Sequence, residues 1–327
     1  MISLKKEKDR DFIILNLTDT QLSDKEWEDG HKAREILTYT VSTLVERIKP
    51  DLITVTGDLA WAGHHHSYKM LGELLDSFSI PWAPVWGNHD NQGGADEVEF
   101  VVSEYEKLRY FTYERGETAL GNGNYVITIE EDGEPVEALI MMDTHNRLPY
   151  TFPNGETKNV WAKLTTDQLD WYSLQIDTLG ECGCKESTLV THIPIYSYKD
   201  AFYAAWAAKK PEKETDIEES YDKSLWNEGY GESFGIKHEG VGSYPEDCGE
   251  LDFILAHGLT KNLICGHEHV NNYVINYKGI RFIYALKTGM GCYWEPKLNG
   301  GTVLRINSEG IHSVSHEYVD VSHLLNK

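Results

Sequence analysis

Residues 12–21 read FIILNLTDTQ, residues 51–58 read DLITVTGD and residues 81–90 read PWAPVWGNHD. Each is a short apolar run that stops at Asp or Gly. Phe12 to Thr18 is almost continuously apolar, as a strand buried on both faces must be. Between the first two runs lies HKAREILTYTVSTLVERI (31–48), whose Ile36, Leu37, Val41, Leu44, Val45 and Ile48 form one helical stripe. Lys49-Pro50 ends it, because proline cannot continue a helix. Ser67 to Phe78 reads as the next helix. The order is βαβαβ, which predicts a largely parallel sheet with right-handed crossovers.

Further strands are expected at Ala138 to Met142, Thr188 to Thr191 and Asn262 to Cys265. The C-terminal stretch changes character. YVINYKGIRFIYAL, centred on Lys278-Gly279, and TVLRINSEGIHSVSHEYV, with Glu309-Gly310, both carry hairpin turns. Parallel units followed by hairpins predict a layered α/β domain with two sheets, spanning residues 1–327 as one unit. The one biased segment, KKPEKETDIEESYD (209–222), reads either as a solvated surface excursion or as part of a lid.

The chain has 327 residues, with 30 Lys and Arg against 53 Asp and Glu, a formal charge of −23. That acidity argues against a sequence-independent nucleic-acid binder, which needs a basic face. It argues equally against an anionic membrane surface. No window approaches the roughly 18 apolar residues of a membrane-spanning helix. The first residues, MISLKKEKDRD, are too charged for a signal peptide. Cys182, Cys184, Cys248, Cys265 and Cys292 are scattered, without CxxC spacing, so reduced thiols and a cytoplasmic location are expected.

The polar residues of interest fall just after strands, where α/β folds place their chemistry. They are Asp19-Thr20-Gln21, Gly57-Asp58, Gly87-Asn88-His89-Asp90, His192-Ile193-Pro194 and Gly266-His267-Glu268-His269. Singly, each reads as a turn, a helix cap or a packed histidine. Together, five strand ends each present Asp, Asn or His. Such a mixture of hard oxygen donors and imidazole can hold two divalent ions that share a carboxylate. His267 and His269 are two apart, so on an extended segment both point the same way and Glu268 points elsewhere.

From about residue 11 to about residue 310, the motifs DTQ, GD, GNHD, THIP and GHEH resemble, in order, those of the calcineurin-like metallophosphoesterases. The region GHEHVNNYVINYKGIRFIYALKTGMG is most similar to the branch containing cytoplasmic purple-acid-phosphatase-like proteins. The resemblance implies a four-layer α/β/β/α sandwich with two mixed sheets and metals at the strand C-terminal ends. It implies a phosphatase or phosphodiesterase acting through a metal-bridging hydroxide. Asp58 would bridge two divalent ions; Asp19, Gln21 and His269 would complete one site, and Asn88, His192 and His267 the other. Mn2+, Fe2+/Fe3+, Zn2+ and Mg2+ all remain open as the ions. His89 would stabilise charge or protonate the leaving oxygen, with Asp90 orienting its imidazole.

Two positions depart from the family pattern. Residue 21 is Gln where His is usual, and an amide oxygen is a harder, weaker ligand that favours Mn2+ or Mg2+ or reaches the metal through water. Trp61 stands where purple enzymes carry a metal-binding tyrosinate, so no coloured Fe3+–tyrosinate site is expected. Elsewhere, His65 in the His64-His65-His66 run is either a substrate contact or an exposed imidazole ahead of a helix. Arg147 either clamps a phosphate bidentately or lies on a surface loop. The aromatic-rich segment 196–245 is expected as a loop-rich insertion bordering the site, with most of its rings packed. A non-catalytic binding scaffold is the alternative function, and a nuclease is disfavoured by the missing basic groove. The expected substrate is a small or locally presented phosphoester.

Overall fold

The computed structural model describes residues 1–206 and 231–325. Strand β1 (Ile2–Lys6) is followed by β2 (Phe12–Leu17), helix α1 (Lys32–Ile48), β3 (Leu52–Thr56), α2 (His65–Ser77) and β4 (Trp82–Val85). The ladder β2–β3–β4 is parallel, as the βαβαβ reading requires. Helix α1 buries Ile36, Leu37, Val41, Leu44 and Ile48. It stops where Lys49 turns left-handed (φ 52°) and donates its N–H to the Val45 carbonyl, a C-terminal cap that Pro50 makes final.

After α3 (Ala95–Tyr105) come the hairpin β5 (Tyr125–Glu131) and β6 (Glu134–Met141), then a separate two-stranded hairpin of β7 (Arg147–Thr151) and β8 (Thr157–Trp161). The chain continues through α4 (Thr166–Glu181), β9 (Glu186–Val190), α5 (Ser197–Ala205), β10 (Phe234–Lys237), α6 (Glu250–His257) and β11 (Thr260–Cys265). It closes with β12 (Asn271–Tyr277), β13 (Ile280–Tyr284), β14 (Gly300–Asn307) and β15 (Gly310–Tyr318). The smaller sheet runs β15-β14-β2-β3-β4 and the larger β1-β5-β6-β9-β11-β13-β12-β10. Both mix parallel and antiparallel pairs.

The period-two alternation of each strand divides its side chains between cores. In β2, Leu15 and Leu17 pack with α1, while Phe12 and Ile14 face the larger sheet. In β6, Leu139 and Met141 meet the smaller sheet, while Ala138 and Ile140 pack with α4 and α5. One core thus lies between the sheets and one outside each, giving the α/β/β/α order. The predicted hairpins form, but in different sheets: β12–β13 in the larger and β14–β15 in the smaller.

Two local readings change. The charged N-terminus contains a strand, β1, parallel to β5 at the sheet edge. Edge strands tolerate lysine on the open side, and buried Lys6 pairs with Glu131. The segment 196–245 is more regular at its flanks than a loop-rich insertion: α5 and β10 are ordered elements, and Tyr198, Phe202 and Trp206 enter the core of the larger sheet. The charged run 209–222 lies outside the described residues. All five cysteines are free. Among the described residues no helix is long and apolar enough to cross a membrane.

Candidate metal centre

Every motif residue sits at the C-terminal end of a strand or in the turn that follows, and the two sheets bring those ends together. Asp19 and Gln21 follow β2, Asp58 follows β3, Asn88 follows β4, His192 follows β9, and His267 and His269 follow β11. Asp19, Gln21, Asp58, Asn88, His192, His267 and His269 are all buried. Three of them adopt left-handed backbone although none is glycine: Asp19 at φ 54°, Asp58 at 51° and His267 at 87°. Such conformations cost about 1–3 kcal/mol each and persist where surrounding structure imposes them. The left-handed turn at His267 also means that His267 and His269 do not lie on an extended segment. They diverge to different neighbours.

One group gathers around Asp58. The His192 Nε2 is 3.4 Å from Asp58 Oδ2, 3.1 Å from Asn88 Oδ1 and 3.3 Å from His267 Nδ1. The His192 Nδ1 is bonded to the Thr56 carbonyl at 2.8 Å, which orients the ring. A second group gathers around Asp19, whose Oδ1 is 3.4 Å from His269 Nε2. The His269 Nδ1 is bonded to the Tyr293 carbonyl at 2.6 Å, and the two rings stack at 4.1 Å. Glycine is required where these groups crowd together. A Cβ on Gly87 would lie 2.1 Å from Asp58 Oδ1, and one on Gly57 would lie 2.4 Å from His192 Nδ1.

The donors fit divalent cations. Asp19 Oδ1, Asp58 Oδ2 and both amide atoms of Gln21 are buried without a hydrogen-bond partner. A buried polar atom left unsatisfied costs about 1–3 kcal/mol. Carboxylate, amide and imidazole donors converging on one crevice are what a cation would satisfy. The electrostatics agree. Burial disfavours ionised Asp58, but the His192 charge outweighs it and holds the carboxyl below its usual range. Asp19 is likewise lowered against burial by His269, His192 and Lys287. Burial would lower His192, yet Asp58 and Asp19 raise it to about 10. His267, buried beside the His192 charge, falls to about 3.

His89 stands at the rim. Its backbone N–H donates to Asp58 Oδ1 at 2.8 Å, and its Nε2 is 4.0 Å from Asp58 Oδ2. The expectation that Asp90 orients this ring is corrected. His89 Nδ1 is partnered by the Gln92 amide at 2.9 Å, and the ring packs on Trp61 at 4.1 Å. The Asp90 carboxylate turns the other way. It accepts from the Leu59, Ala60 and Gly87 backbone N–H groups and from the Tyr68 hydroxyl. Asp90 therefore ties the turn carrying Asp58 to the turn carrying Asn88. The sequence-adjacent reading fails because Asp90 opens a 3-10 turn (Asp90–Gly93) that sends the two side chains to opposite sides.

His65 is not brought to the cluster. Its Nε2 meets Glu97 at 2.8 Å and its ring stacks on Phe100 at 4.3 Å, both on α3. Arg147 lies closer, with its guanidinium 3.7 Å over the Trp161 ring. Trp161 in turn stands edge-on against His267 at 4.4 Å. Sequence reasoning missed several contributors. Lys287, fully buried, donates to the Asp19 main-chain carbonyl. The Trp61 indole donates to the Gln21 carbonyl at 2.8 Å. Glu268, expected to point elsewhere, borders the cluster: it takes the Gly242 N–H and lies 3.6 Å from His267 Nε2. Only Lys287 carried a signal, as a charged residue closing the apolar run IRFIYAL.

A solved structure shares this fold, and curated proteins match parts of the sequence. A dimetal phosphatase from Danio rerio superposes with a TM-score of 0.55 at 13% identity, covering 96% of this chain and 100% of that one. The protein "Probable inactive purple acid phosphatase 28" of Arabidopsis thaliana is 24% identical over 278 residues, 77% of this chain and 62% of its own length. The chain thus spans about three fifths of that relative. "Probable glycerophosphodiester phosphodiesterase GpdQ" of Arcobacter nitrofigilis is 29% identical over 105 residues, 31% of this chain and 36% of that one. Residues 12–271, from β2 to the start of β12, match the model of the calcineurin-like phosphoesterases, and the chain belongs to that family.

Proposed function

We propose that the chain is a dinuclear metal-dependent phosphoesterase acting on a small or locally presented phosphoester. The observation that carries this reading is the pair of buried carboxylate oxygens, Asp19 Oδ1 and Asp58 Oδ2, each without a hydrogen bond and each 3.4 Å from an imidazole nitrogen. Asp58, Asn88, His192 and His267 would hold one divalent cation. Asp19, Gln21 and His269 would hold the other, with Asp58 shared. When bound, the two cations lower the pKa of the attacking water and neutralise charge on the phosphoryl oxygens.

The chain's own residues do the rest. Thr18 Oγ1 and the His267 N–H fix Asp19 Oδ2, leaving Oδ1 free for its ligand role. The His89 N–H fixes Asp58 Oδ1 in the same way and leaves Oδ2 free. The His89 imidazole, braced by Gln92 and Trp61, faces the crevice at the rim, where it would donate a proton to the departing oxygen. The crowded glycine turns leave the ligands little room to relax, which favours preorganisation over adjustment.

A non-catalytic scaffold is the second reading, and Gln21 in place of the family's histidine is the feature that favours it. One experiment separates them. The purified chain should hydrolyse p-nitrophenyl phosphate or bis-p-nitrophenyl phosphate with Mn2+, and EDTA should abolish this. Inactivity on both, with no metal found by elemental analysis, leaves the scaffold standing.

A further inference from the structure

Arg147 opens β7 and pairs in register with Trp161, which closes β8. Its guanidinium carbon lies over the indole, 3.7 Å from the ring centroid. That indole meets the ring of His267 edge-on. The other side of the hairpin base is tied to the loop that carries His89. The Asn91 side-chain amide donates to Asp143 Oδ1 at 2.9 Å, and the His145 N–H donates to the same oxygen at 2.8 Å. Arg147 thus stands one ring away from His267, on a hairpin whose base is tied to the loop carrying His89. Among the described residues it has no carboxylate partner, although the chain carries 53 acidic residues. A guanidinium held over an aromatic face keeps its full charge, and its N–H groups remain able to bond phosphate oxygens.

Resting on the dinuclear reading above, we infer that Arg147 selects phosphomonoesters over phosphodiesters. The argument is one of oxygens and charge. A monoester has three non-bridging oxygens and carries two negative charges. A diester has two such oxygens and one charge. Two cations bound at the candidate site would neutralise charge on the phosphoryl oxygens of either substrate. Only the monoester has a third for a guanidinium at the crevice edge, and only its second charge is matched there. Trp161 acts as the positioning residue: it confines the Arg147 side chain and spares it the entropy of ordering when the substrate arrives.

The test compares wild type, Arg147→Gln, Arg147→Lys and Trp161→Leu, all Mn2+-loaded and checked for equal metal content. The monoester-to-diester ratio of kcat/KM, on p-nitrophenyl phosphate and bis-p-nitrophenyl phosphate, should fall about 10- to 100-fold in Arg147→Gln, the value of one charge-assisted contact. Arg147→Lys should recover only part of it. Trp161→Leu should fall between wild type and Arg147→Gln. Inorganic phosphate titrated calorimetrically should bind about tenfold more weakly to Arg147→Gln, on the same grounds. An unchanged ratio with unchanged phosphate affinity overturns the inference while leaving the phosphoesterase reading intact. A wild type inert on both substrates removes that reading, and phosphate affinity then decides on its own whether Arg147 holds the anion.

Discussion

The side chain of Lys287 donates a hydrogen bond to the main-chain carbonyl of Asp19 at 2.5 Å, with both residues fully buried. An ammonium is costly to bury, and burial lowers this one to about 8 although Asp19 favours its charge. The contact fixes the left-handed turn that aims Asp19 Oδ1 at His269. In Lys287→Met that carbonyl loses its donor. Metal affinity measured by chelator competition should fall about 10- to 100-fold, from a contact worth roughly 1.5–3 kcal/mol. Metal-free thermal stability should move little, because the lost bond is offset by relief of a buried charge. Unaltered metal affinity would show that the turn is held without the lysine.

Metal binding should release protons. In the metal-free protein, burial works against the charged form of His192, but Asp58 and Asp19 raise its pKa to about 10. It is thus protonated at pH 7, and only neutral imidazole can take a cation. Affinity should rise with pH throughout the range below about 10 and level off above it. Calorimetry at pH 7 in buffers of different ionisation enthalpy should report about one proton lost for the site containing His192. No buffer dependence would contradict the protonated state.

Much of this was legible in the sequence, and the reason is local. Asp19, Asp58, Asn88 and His192 each follow an apolar strand within a few residues, so a strand pattern and a turn were enough to place them. The residues that were missed arrive through topology. Lys287 reaches Asp19 across a separation of 268 residues because the segment after β13 crosses to β2 in the other sheet. Trp161 reaches His267 only because the β7–β8 hairpin folds over the ends of the larger sheet. Strand order and hairpin placement are not written in periodicity. Neither is the sense of a turn: Asp90 follows His89 directly and still faces the opposite way.

A buried carboxyl away from the cluster gives a pH prediction for stability. Burial raises Glu250 from its ordinary 4.5 to about 7, against the pull of the Leu164 N–H and Lys163. The folded chain therefore binds this proton more tightly than the unfolded one. The stabilisation is complete below about pH 4.5 and is lost as pH rises through 7, a change of about 3 kcal/mol. Glu250→Gln keeps an oxygen for the Leu164 N–H and carries no charge. Urea denaturation should show the variant more stable than wild type at pH 8 and close to it at pH 4.5. Parallel profiles would mean that Glu250 stays ionised in the fold.

Asp90 and His89 should separate cleanly in kinetics. His89→Ala removes the rim imidazole and nothing that holds metal. kcat should fall about 10²- to 10⁴-fold, the range for a positioned proton donor, with metal content unchanged. Asp90→Asn replaces an acceptor of three N–H groups and one hydroxyl by an amide with one acceptor oxygen, and its NH2 then faces backbone N–H donors. That variant should lose about 1–3 kcal/mol of stability and should bind metal more weakly, because the turns bearing Asp58 and Asn88 are no longer joined. Tyr68→Phe, which removes one donor to the same carboxylate, should show the stability loss in smaller measure and little kinetic effect. If instead Asp90→Asn keeps its melting temperature and its metal but loses kcat, Asp90 orients His89 after all, through a movement of the Asp90–Gly93 turn on binding.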